Sequence, residues 1–245
     1  MSVDLDLSPA PAAAPRGALI RQHAATEAML LLRNGEQLLL ALVIPVAALL
    51  LGQYWGPLIG LSLAELAPTV LALAVWSTAF TSLAIATGFE RRYAVLERLA
   101  ATPLRRGGII VGKALGFTVV ALGQLVLLAV IALVLGWRPH PHPAQIPIAL
   151  LVLVLAALAY AGAALCLAGT LRAEITLALA NLIYLAALPT LVMDAAWLSV
   201  LPTTALAQAL RGLALGQLTW LPLIVTAVWA AAMGLLARKV FRWTS

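Results

Sequence analysis

Long apolar runs separated by short polar breaks dominate this chain. Runs at about 38–55, 66–88, 113–137, 146–170, 175–193 and 218–237 each have close to the roughly 20 residues that a helix needs to cross a bilayer. None alternates polar and apolar residues as a barrel strand does. The pattern predicts an all-α integral membrane protein with six transmembrane helices. Pro45 predicts a kink in the first of them.

The remaining segments are patterned too. Residues 1–15 are rich in Pro, Ala and Asp and read as a disordered tail. They have neither the basic start nor the apolar stretch of a secretory signal, which places the N-terminus inside. Residues 16–37 mix Arg16, Arg21, His23, Glu27, Arg33 and Glu36 with Leu19, Ile20, Met29 and Leu30 to Leu32. This predicts an interfacial helix, apolar side down, bending into the membrane at Asn34-Gly35; a plain polar prelude is the alternative. Residues 194–217 are too apolar for a free loop and too interrupted for a span. They predict one or two short helices re-entering the membrane from outside, where backbone must be packed in protein; an amphipathic surface helix is the alternative.

Composition agrees with a membrane protein. The 245 residues are 64% hydrophobic and only 10% charged, against about 25% charged in soluble domains. The net charge of +6 belongs to residues beside the spans, so it speaks for anionic membrane lipids and not for nucleic acid. The single cysteine, Cys166, lies inside an apolar run and leaves no disulfide within the chain. Sidedness follows from counting. With both termini cytoplasmic, Arg16, Arg21, Arg33, Arg91, Arg92, Arg98, Arg105, Arg106, Lys113, Arg172, Arg238, Lys239 and Arg242 fall inside, and only Arg138 and Arg211 outside. Trp55, Trp137, Trp197 and Trp220 then sit at outer boundaries as an aromatic belt. The tail at 238–245 is a basic, aromatic inner anchor.

The loop at 89–112, with Lys113 closing it, is the most charged part of the chain, holding six of its 15 Lys and Arg. Phe89, Tyr93, Leu96 and Ala100 recur at helical spacing on one face, and Arg91 and Arg98 lie seven apart on the other. Thr102-Pro103 ends the helix, because the residue before proline resists helical geometry. From charge alone, a solvated loop that only anchors two spans fits as well.

The motifs decide between these. Phe89-Glu90-Arg91-Arg92-Tyr93, Leu96-Glu97-Arg98-Leu99, Ala101-Thr102-Pro103-Leu104 and Gly112-Lys113 resemble the first cytoplasmic loop of ABC-2 type permeases, the membrane subunits of ATP-driven exporters that include drug and antibiotic pumps. A departure is Ala94-Val95, where many members carry Gly-Thr. The resemblance implies a connecting helix before the first span, a coupling helix at Glu90–Ala101 docked on a separate ABC ATPase subunit, and a helical re-entry before the last span. It implies ATPase coupling through Glu90, Arg91, Tyr93, Leu96, Glu97, Arg98, Thr102, Pro103 and Leu104, with Arg91 and Arg98 facing the ATPase. It also implies a second permease, identical or related, and a substrate route between spans one, two and five.

The chain's own chemistry is spare. Gly107 to Lys113 fits the start of a P-loop, but Ala114 stands where the Mg²⁺-binding Ser or Thr belongs and no strand precedes it. ATP and Mg²⁺ are therefore expected on the partner, and no cofactor in this chain. His140 and His142 alternate with prolines, without an acidic neighbour, and do not read as a metal site. No span carries Asp, Glu, Lys or Arg near its middle, as ion-coupled carriers and intramembrane enzymes require. Neutral polar residues remain: Trp76, Ser77 and Thr81 in the second span and Asn181 and Tyr184 in the fifth are candidates for the substrate path. Each is more often a helix-to-helix hydrogen bond than a ligand contact. The expected protein is a non-enzymatic exporter permease of a bacterial-type inner membrane, moving a hydrophobic or amphipathic drug, antibiotic or lipid. Haem or polysaccharide export, or a non-transporting scaffold, are the alternatives.

Overall fold

A computed structural model describes residues 14–35, 39–59, 61–190 and 196–243. Most of the expected N-terminal tail, the first residue of the expected first span, the end of the fifth, the start of the outer segment and the last two residues lie outside the described part. Every regular element among the described residues is helical. Helix α1 is Arg16–Arg33. Helix α2 starts as a π-turn, Leu39–Val43, and continues as Ile44–Trp55. Helix α3 spans Leu63–Arg92, with a π-helical segment Ser77–Ser82 at its middle. The short α4 is Val95–Ala100, α5 is Arg105–Val134, α6 is Ile146–Thr170 and α7 is Ala173–Thr190. A 3-10 turn, Ala196–Val200, leads into α8, Pro202–Ala214, and α9 is Leu221–Val240.

Local sequence explains the ends. Ser62 and Glu65 form a reciprocal capping box that starts α3. Proline stands in the first turn of α6, α8 and α9, where its missing N–H costs nothing. Gly136 and Gly216 take left-handed backbone just beyond α5 and α8. At each, the N–H of the residue after the glycine reaches back five positions, Trp137 to Ala132 and Gln217 to Gly212, closing a Schellman motif.

Among the described residues five helices, α3, α5, α6, α7 and α9, are long and apolar enough to cross a membrane; the apolar run Ala41–Trp55 of α2 is shorter. Helix α3 is the centre: its most apolar stretch is 89% buried, against 17% for α9. Large apolar side chains such as Val126, Leu150, Leu182 and Val228 cover the outside of the surrounding helices, which in water would be untenable and in lipid is the stable arrangement. The main core gathers Leu73, Trp76, Phe80, Leu83, Val152, Tyr160, Tyr184 and Leu206 from α3, α6, α7 and α8. Helix α8 is thus inserted among α3, α6 and α9 rather than lying loose. Small residues let helices approach: a Cβ on Gly162 of α6 would stand 2.8 Å from the Met233 backbone of α9.

Helix α1 turns a largely polar stripe to the protein. Its buried stripe is His23, Glu27 and Leu31, while Met29, Leu30 and Leu32 are exposed. The reason is its partner. It lies along α5 at Gly112 and Gly116, where an added Cβ would stand 2.6 Å from His23 Cδ2 and 2.7 Å from the Ala24 carbonyl oxygen.

Candidate functional site

The basic elbow between α3 and α5 is built from two turns. At the first, α3 ends at Arg92, and Ala94 adopts left-handed backbone (φ 53°) before α4 begins. This break overturns the expectation of one continuous helix from Glu90 to Ala101. Spacing across it no longer sets a common face: Leu96 is buried, Phe89 is half-buried, and Tyr93 is 59% exposed. At the second, the Thr102 hydroxyl donates to the Leu99 carbonyl at 2.6 Å and accepts from the Leu104 N–H at 3.3 Å. The Arg105 N–H donates to the Thr102 carbonyl, closing a turn with Pro103 at its second position.

The candidate residues divide into two sets. Tyr93, Glu97, Arg98, Thr102 and Pro103 are exposed along the rim, and Arg98 donates to the Tyr93 carbonyl at 3.1 Å. Glu90, Arg91, Leu96 and Leu104 point into the protein. The Arg91 guanidinium donates to the carbonyls of Gly169 and Leu171 at the end of α6, so it does not face outward with Arg98. Arg92 pairs with Glu174 at the start of α7 and lies 5.6 Å from the Tyr93 ring centroid. Arg106 stacks on Trp243 of the C-terminal tail. Helix α4 is thereby seated by one apolar residue, Leu96, within a frame of charged contacts.

Behind the rim lies a charge cluster that charge counting alone does not reveal. Lys113 Nζ is 2.7 Å from Glu27 Oε2 and 2.7 Å from Glu90 Oε1. Lys113 and Glu27 are almost fully buried, and His23 stands 3.5 Å from the other Glu27 oxygen. Burial holds the His23 imidazole below its ordinary pKa, against the pull of Glu27. Removing one partner of such a buried set costs about 3–5 kcal/mol, because the other charge is left uncompensated. The signal in the sequence is Gly108-x-x-x-Gly112-x-x-x-Gly116, a small-residue stripe for helix contact overlaid on the P-loop look-alike.

The five candidate path residues meet where the π-segment of α3 faces α7. Trp76, Ser77, Thr81 and Tyr184 are buried and Asn181 is half-buried. Trp76 stacks on Phe80 (centroids 4.3 Å apart) and meets Tyr160 edge-on at 4.7 Å. The Tyr160 hydroxyl donates to the Pro202 carbonyl at 2.9 Å and so holds the start of α8. Trp76 Nε1, Thr81 Oγ1 and Asn181 Oδ1 are buried without a hydrogen-bond partner among the described residues. Beside this seam a cavity of about 240 Å³ is lined by Leu31, Ala41, Thr78, Ser82 and Gln124. Gln124 stitches two irregular helices there: it accepts from Thr78 of the π-segment and donates to the Ala41 carbonyl. Pro45, four residues on from Ala41, has no N–H to offer that carbonyl.

The model of the ABC-2 type transporter family matches residues 19–188, from α1 into the last turn of α7, and so includes the elbow and the Lys113 cluster. The chain belongs to the ABC-2 type transporter family. Curated proteins and solved structures give no match. ABC-2 proteins are multi-pass membrane permeases that work with ABC ATPase partners and are not themselves catalytic. In that setting the elbow of this ABC-2 protein is the α3–α4–α5 connection, and its exposed rim is Tyr93, Glu97, Arg98, Thr102 and Pro103.

Proposed function

We propose that this chain is the permease subunit of an exporter, with α2 as a sixth span, α8 as a re-entrant outer helix and both termini cytoplasmic. A separate ABC ATPase docks on α4, and a second permease, identical or related, completes the pore. The observation that carries this reading is the seating of α4: one apolar anchor beneath, a polar rim outward, and charged struts to α6, α7 and the tail. A push on that rim reaches the bundle through Arg91 and Arg92. Arg91 is a strut in this mechanism, and Glu97 and Arg98 are the groups left to meet the ATPase.

Cargo moves outward along the α3–α7 seam. Its apolar walls, with Trp76, Ser77, Thr81, Asn181 and Tyr184 as scattered polar groups, suit a hydrophobic or amphipathic molecule such as a drug, antibiotic or lipid. The test is to purify the intact assembly from its native membrane and identify the subunits. An ATPase with a complete P-loop is expected at one copy per permease; an assembly without any nucleotide-hydrolysing subunit overturns the proposal. Vesicles holding the assembly should then move lipophilic dyes in an ATP-dependent manner.

A further inference from the structure

Lys113 joins three elements that are far apart in sequence: α1 through Glu27, the last turn of α3 through Glu90, and α5, its own helix. The ammonium also lies 5.5 Å from the Phe117 ring centroid, so α5 contributes to its surroundings. Gly112 and Gly116, one residue before and three after, bring the α1 and α5 backbones into contact around the charge. Glu90 sits only three residues before the break at Tyr93 and Ala94 that leads to α4.

We propose that Lys113 is a positioning residue that locks α1, the inner end of α3 and the start of α5 into one rigid body, so that a force on α4 moves all three together. The physical ground is the cost of parting a buried ion from its partners. Drawing either carboxylate away breaks a 2.7 Å charge-assisted contact and leaves that carboxylate without its cation in a largely buried site. The elements therefore move as a unit, and bending is left to the segments where the helical ladder is already irregular, Ser77–Ser82 of α3 and Leu39–Val43 of α2. The inference rests on the reading that α4 receives the push of an ATPase, but the lock itself is testable without one.

The experiment places spin labels at two exposed positions, Arg21→Cys on α1 and Ala101→Cys beyond α4, in a chain whose Cys166 is replaced by alanine. Distances are read by pulsed electron spin resonance in lipid nanodiscs. The purified chain alone should give one narrow distance. Lys113→Met should broaden it into more than one, and Lys113→Arg should restore a single peak. Because Lys113→Met leaves two buried carboxylates unpaired and can fail to fold, the neutral triple variant Glu27→Gln, Glu90→Gln, Lys113→Met serves as the second probe. It keeps the packing and removes the ions, and it should also broaden the distance. A narrow peak in the triple variant overturns the lock, since packing alone would then suffice. In the complex with its ATPase, trapping with ATP and vanadate should leave the native distance unchanged; a shift there overturns the rigid-body claim. Failure to find any ATPase counts against the export reading and leaves the first comparison standing.

Discussion

At the scale of single residues, Ala94 and His23 each do something their sequence neighbours do not suggest. Ala94 is held in the left-handed region, which costs a residue with a Cβ about 1–2 kcal/mol and glycine far less. After the entropy that glycine loses on folding, Ala94→Gly should stabilise the elbow by about 0.5–1 kcal/mol, read as a higher thermal midpoint of the purified protein. A lower midpoint would mean that the break is not as described. The resemblance had already marked this position, since many ABC-2 members carry Gly there; the physical reason is the turn. For His23 the sign is fixed by burial. Its folded pKa is depressed, so the unfolded chain takes up a proton near pH 6.5 that the folded chain refuses. Stability should fall as the pH drops through that ordinary value towards the depressed one. In His23→Gln that part of the slope should vanish, as a denaturation series between pH 5 and pH 8 would reveal.

At the scale of elements, what could be read from the sequence follows the physics of each device. The Thr102-Pro103 turn was legible because proline restricts its predecessor whatever surrounds it. The end of α3 was not, because helical spacing carries through a break silently when no Pro or Gly marks it. Arg91 and Arg98 therefore looked equivalent, and they are not. Arg91→Glu should put a carboxylate against the Gly169 and Leu171 carbonyls and lower the yield of folded protein. Arg98→Glu should leave folding intact and weaken ATPase binding, measured by pull-down and by thermal midpoint. The polar stripe of α1 was hidden for a different reason: spacing shows that the helix has an apolar side, but not which of its polar residues meet a partner in the protein. The glycines at 108, 112 and 116 were the available clue, masked by their likeness to a phosphate loop. Gly116→Val should push α1 off α5 and expose the Glu27–Lys113 pair, seen as loss of protease protection at Arg21. The π-segments leave no trace in hydrophobic spacing, since one extra residue in a turn does not interrupt an apolar run such as Leu39–Val43 or the buried stretch around Phe80.

At the scale of the whole molecule, one central helix is wrapped by the others and tied at both ends. At one end α8 packs into the bundle under the Tyr160 bond to Pro202, and the Gln145 side chain clamps the turn at Gly216 and Leu218. At the other, Arg91, Arg92 and Lys113 fasten α3 to α6, α7 and α1. Between them lies a seam where Trp76, Thr81 and Asn181 have polar atoms without partners among the described residues. On the proposed reading, the end fastened by Arg91, Arg92 and Lys113 is the handle that an ATPase holds and the seam is the part that yields. The most direct measurement is photo-crosslinking in the native membrane, with a benzophenone amino acid at Arg98 on the rim and, separately, at Val228 on the apolar exterior. The account predicts an adduct between position 98 and an ATP-hydrolysing subunit, and lipid adducts alone at position 228. Lipid or no partner at position 98, with the ATPase captured elsewhere or absent, would contradict it.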